Sequence, residues 1–226
     1  MKGVYDKPIN LRTICWQDEK FFRVDEEGNV QNDRVWIPVG STKKEALEGD
    51  GGELLLKEKS QHNPGVMVSG GIHVARGPWP VLQQVPRGCK IDADAFVDMC
   101  MDHIGPSMGE TPVVLIIDNA PSHRNKTMAA FIKDVWIPLG HEVLYQPPAS
   151  PDLNCLDWLV WELLKKEVGG PFAPTAAGLA LMKTRLVVAW EKLKHNPDLW
   201  GTIGAQFEKR LDACIKAAGG HFEPSM

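Results

Sequence analysis

Three aspartates carry the chemistry open to this chain: Asp18 in RTICWQDEKFF, Asp118 in VVLIIDNAPSHR and Asp157 in QPPASPDLNCLDWLVWELL. The first two close runs of apolar and β-branched residues, so their side chains are expected to emerge at strand ends, and the third opens a helix. Strand ends and helix starts are where a fold brings remote carboxylates together. Three converging carboxylates repel one another unless divalent cations stand between them, and hard oxygen ligands of this kind suit Mg²⁺ or Mn²⁺. The pattern is that of a metal-dependent phosphoryl-transfer site.

Each acid alone also has an ordinary structural explanation. Asp118 before Asn-Ala-Pro is good turn chemistry, Asp18 in Gln-Asp-Glu-Lys can be solvated, and Asp157 is the third helical position if Asn154 is the N-cap. The combination is what points to a site. Leu156, Val160 and Leu163 form the expected buried stripe, leaving Asp157 about 100° away at its edge. Pro147, Pro148 and Pro151 stiffen the entry to that helix, as delivery of a ligand requires. Glu19, Asn119 and His123 are placed to tune or orient the site, with stabilisation of the turn the alternative for Asn119 and His123. Asp152 is explained by the helix dipole.

The elements that position these acids follow from hydrophobic period and turn chemistry. Residues 12–17 read as a strand, 25–64 as a long polar loop insertion, and GVMVSGGIHVARGPWPVLQQVP as a hairpin. A short amphipathic helix over 92–104 precedes a continuously apolar strand, 113–117, of the kind buried on both faces. A helix at 125–136, a strand at 141–145 and helices at 155–168, 175–193 and 197–218 complete the pattern. This is an α/β chain: a mixed sheet flanked by helices, with a helical C-terminus, in a single domain over 1–226.

Composition narrows the setting. No apolar run is long enough to span a bilayer and no signal peptide opens the chain, so nucleus or cytosol is the expected location. Cys15, Cys89, Cys100, Cys155 and Cys214 have neither zinc-knuckle nor disulfide spacing and read as buried or free thiols. The formal charge of −4 argues against wrapping nucleic acid unaided. The C-terminal third nevertheless carries Lys165, Lys166, Lys183, Arg185, Lys192, Lys194, Lys209, Arg210 and Lys216, either a local basic surface or the solvated faces of amphipathic helices. The tryptophans at 16, 79, 136, 158, 161, 190 and 200 read as core.

The signatures DEKFF, IIDNAPSH and PPASPDLNCLDWLVW resemble the catalytic domain of mariner-type transposases, in the DDE/D group with a ribonuclease H-like fold. QNDRVW, PGVMVSGGI and FEKRLDACIKAAGGHF extend the resemblance over nearly the whole chain. The 38 residues between positions 118 and 157 match the branch whose third acid is Asp. The resemblance implies DNA cleavage and strand transfer with two Mg²⁺ or Mn²⁺ ions, Asp18 bridging both and Asp118 and Asp157 each completing one shell. It also implies DNA as partner and a homodimer in the DNA complex, with the 25–64 insertion reaching across. Paired helix-turn-helix modules precede the catalytic domain in relatives, and 17 residues precede Asp18 here. A truncated or domesticated catalytic domain is therefore expected, with a separate DNA-recognition partner. The alternative is a catalytically silent ribonuclease H-like nucleic-acid-binding or scaffold protein.

Overall fold

A computed structural model describes residues 10–24, 64–86, 91–220 and 222. The insertion expected at 25–64 falls outside them except for Pro64, as does QNDRVW. Strands β1 (Ile14–Arg23), β2 (Gly65–His73), β3 (Gly77–Pro78), β4 (Gln83–Val85), β5 (Val114–Ile117) and β6 (Glu142–Tyr145) form one sheet. Its order is β3-β2-β1-β5-β6, with β4 also pairing β2. β2 lies antiparallel to β1, β3 and β4, whereas β1, β5 and β6 run parallel. β5 and β6 end together at the Ile117↔Tyr145 pair, while β1 runs on past the end of its pairing with β5.

Helices cover both faces. α1 (Ala93–Met99) starts at Asp92, whose carboxylate accepts from the Ala95 amide, and runs on as a helix through Met108. α2 (Lys126–Phe131) is capped by Asn125 and continues through a π-turn to Trp136. These two pack with Cys15, Trp79, Leu115 and Ile117 on one face. On the other face Trp16, Phe22, Val66, Val68 and Ile72 meet α3 (Trp161–Val168), α4 (Ala176–Lys194), α5 (Pro197–Gly201) and α6 (Ile203–Lys216). Each fully buried Leu, Val or Phe in these layers contributes about 1.5–3 kcal/mol. Strand alternation sends the even residues of β1 to the second face and the odd ones to the first.

Three local expectations change. β1 does not end before Asp18: antiparallel pairing with β2 runs on to Arg23↔Gly65, and Asp18 stands opposite Gly70 in mid-strand. Pairing with β5 stops at Trp16↔Ile116, so on that side Asp18 lies just past the end of the parallel ladder. The second change is at residues 156–160. They form a π-turn in which the Trp161 amide bonds to Leu156 O, and the extra residue per turn carries the buried stripe to Leu164 rather than Leu163. The expected 197–218 helix also breaks at Thr202, between α5 and α6.

Of the expected core tryptophans, Trp158 alone is only half-buried; the other six are buried. Cys15, Cys100 and Cys155 are buried free thiols, and Cys214 is partly exposed.

Candidate active site

The three aspartates reach the same place by three routes. Asp18 projects from β1 on the face of Trp16 and Phe22. Asp118 follows β5 directly, and Asp157 lies in the π-turn that leads into α3. All three line a cavity of about 390 Å³ at the carboxyl ends of the parallel strands, walled otherwise by Asn119, Ala120, Asn154 and the proline-rich turn 146–151. Within that turn Ala149 takes a left-handed backbone (φ 52°). Asn119 Nδ2 donates to Gln146 O, and Gln146 Nε2 donates to Ser150 O, which ties the turn to the end of β5.

Asp18 is the most heavily held. Its Oδ2 accepts from Trp161 Nε1 at 3.1 Å and from Asn154 Nδ2 at 3.1 Å, while Oδ1 accepts from the Glu19 amide at 2.8 Å. Burial, and then the charge of Asp157, push its pKa up to about 7, against the Trp161 hydrogen bond. Asp157 is raised too, by burial first, while Lys20 and Asn154 pull it down and Asp118 adds repulsion. The Asn154 amide stands between these carboxylates, also donating to Asp157 Oδ2 at 3.3 Å. One neutral N–H donor group thus occupies the position where like charges meet.

Asp118 turns the other way. Its Oδ1 lies 2.6 Å from His123 Nδ1 and accepts from the Ala120 amide at 2.8 Å. The contact with His123 holds its carboxyl below the usual range despite burial. Burial alone would depress His123, but Asp118 and Glu19 outweigh it and raise the imidazole. The imidazole keeps 3% of its side-chain surface exposed and Asp118 49%, so the histidine backs the carboxylate from inside. Phe96 packs against its ring at 3.8 Å between centroids. Glu19 occupies the opposite sheet face from Asp18, where Gln17 Nε2 donates to it at 2.8 Å and burial raises its carboxyl.

The donor set suits a hard divalent cation in kind: three carboxylates around one open cavity, two of them raised by burial and mutual charge. As the side chains stand, no three His, Cys, Asp or Glu groups among the described residues close tightly enough to hold an ion.

Two contributors were hidden in the sequence. Asn154 was legible only as a helix cap, which it also is, accepting from the Leu156 amide at 3.1 Å. Trp161 read as core, and it is buried, yet its indole N–H is spent on Asp18. No local signal marks either role, because both depend on a partner about 140 residues away. His123 stood open between orienting the site and stabilising the turn, and it touches Asp118.

Solved structures with the same fold include the Mos1 mariner paired-end complex with Mn, at 16% identity and a TM-score of 0.66 over 97% of this chain. The Mos1 paired-end complex with the left transposon end aligns at 16% identity and 0.65 over 94%. The isolated Mos1 mariner catalytic domain aligns at 15% and 0.58, covering 97% of this chain and 88% of that one. This chain spans 57–59% of the length of the Mos1 chains in the paired-end complexes. At such identity the likeness is one of fold, and the fold is ribonuclease H-like. Comparison with curated protein sequences finds no match. The sequence model of the DDE superfamily endonuclease family matches residues 13–176, which takes in the whole sheet and all three aspartates, and the chain belongs to that family.

Proposed function

We propose that this chain is a transposase-type catalytic domain that cleaves DNA phosphodiester bonds and transfers strands, with Asp18, Asp118 and Asp157 as ligands of two Mg²⁺ or Mn²⁺ ions. The observation that carries the reading is the meeting of three carboxylates, from three separate elements, on one open cavity at the strand carboxyl ends. Open α/β sheets place their ligands at that edge. Held by these three carboxylates, divalent ions would supply activation of the attacking oxygen and stabilisation of the departing one.

The protein's own part is to hold the acids. Trp161 and the Glu19 amide fix the rotamer of Asp18, His123 backs Asp118, and Asn154 ties Asp157 to the same corner. The cavity is open to solvent along one side rather than enclosed. DNA as substrate is supported by family membership and by Mos1, which is seen with a transposon end and with Mn or Mg. The same reading takes the chain as a single domain acting in the nucleus or cytosol, homodimeric on DNA and served by a separate recognition partner.

Plasmid nicking with Mg²⁺ or Mn²⁺ tests it. Nicks that chelator abolishes and Asp118→Asn lacks are expected. A chain that binds plasmid but leaves it intact with either ion would sink the enzyme reading in favour of the silent scaffold.

A further inference from the structure

We infer that Arg210 on α6 is a positioning residue for Asp157, and that α6 sets the spacing between the Asp18 and Asp157 carboxylates. The role rests on the reading of the site given above. Arg210 spans the Asp157 segment from outside. Its Nη1 donates to Asp152 O at 3.2 Å, and its guanidinium lies 4.4 Å from the centroid of the Trp158 ring. One side chain therefore grips the backbone before Asp157 and the ring just after it. The Trp158 indole N–H makes no hydrogen bond among the described residues, so the ring is placed by its packing on the core and by the guanidinium stacked over it.

The same helix holds the other carboxylate. Phe207, one turn before Arg210, meets Trp16 edge-on at 4.8 Å and 85°, two residues ahead of Asp18 on β1. Phe207 and Ile203 are buried, so α6 is seated on the sheet through them while Arg210 reaches the π-turn. Residues three and four apart share one helix face, so these three side chains act from a single rigid surface. α6 lies beyond residues 13–176, the part that the family's sequence model matches.

A competing role for Arg210 is simple attraction of DNA phosphate, and lysine separates the two. Lysine keeps the charge but loses the planar fork and the stacking face. Arg210→Lys and Arg210→Met are compared with the unaltered full chain for Mn²⁺ binding without DNA and for amide exchange. The amides of Leu153, Asn154 and Asp157, all hydrogen-bonded within the turn, report its order. Both variants are expected to weaken Mn²⁺ binding about 10-fold or more. Both should also speed exchange over 152–157 while β1 and β5 stay protected, which shows that the chain has folded. Native protection there in both variants overturns the positioning role whatever the ion does. Native Mn²⁺ affinity in Arg210→Lys overturns it as well. Mn²⁺ binding to the unaltered chain that Asp157→Asn leaves untouched instead overturns the reading of the site.

Discussion

At the scale of single residues, the corner shared by Asp18, Asn154 and Asp157 balances repulsion against one amide. Asn154→Asp removes the donor that both carboxylates use and adds a third charge, and is expected to cost about 1–3 kcal/mol in chelator. Melts with Mn²⁺ should recover much of that loss; a variant as stable as the parent in chelator would show that the amide carries no strain-relieving role. Asp157→Asn has the opposite sign. It keeps a carbonyl acceptor for Asn154 Nδ2 and removes a charge that raises Asp18, so the metal-free melting temperature should hold or rise by about 1–3 °C. Divalent-dependent nicking by that variant should fall more than about 100-fold, beyond the loss typical of an outer partner. A marked drop in the melt would mean that Asp157 serves chiefly as a cap.

Among the elements, β2 shows why its sequence reads SGG. A Cβ on Gly71 would stand 2.3 Å from the Trp79 ring, which lies buried against the strand and donates from Nε1 to Cys15 Sγ at 3.2 Å. Gly71→Ala is expected to cost about 1–3 kcal/mol, read as a lower denaturant midpoint at unchanged slope. The end of the same strand sets a pH response. His73 Nδ1 accepts from the Ala75 amide at 3.0 Å, and burial, with the charge of Arg76, depresses its pKa from 6.5 to about 4. The unfolded chain takes up the proton first, so this contribution is whole above pH 6.5, falls as pH drops towards about 4 and is flat below. The loss is on the order of 1–3 kcal/mol. His73→Asn keeps an acceptor and does not titrate. Urea melts across that window should show a shallower pH slope for the variant, and equal slopes would refute the assignment.

For the molecule as a whole, many of the C-terminal cations are already engaged. Lys192 meets Glu167 at 2.5 Å, Lys194 meets Glu191 at 2.9 Å, Arg185 donates to Val168 O at 3.3 Å, and Arg210 grips the π-turn. No helix among the described residues is long and apolar enough to cross a membrane. DNA binding by this chain is therefore expected to be weak, indifferent to sequence and steeply salt-dependent, each neutralised phosphate adding nearly one unit to the log–log slope. Competition between matched and scrambled duplexes at several salt concentrations checks it, and tight, salt-insensitive choice of one duplex would contradict it. Much of this architecture was legible in the sequence because its signals are local. The apolar run ending at Asp118 and the prolines before Asp157 each act on neighbouring backbone, and the family signatures lie along the same segments. What those signals leave open is anything set by a distant partner. Whether β1 ended at Asp18 depended on β2, because a strand stops where its neighbour's hydrogen bonds stop. That Asn154 separates two carboxylates, that Trp161 donates to Asp18, and that Arg210 braces the turn were decided only when the helices packed on the sheet, since each is a contact between residues remote in the chain and near only in the folded core.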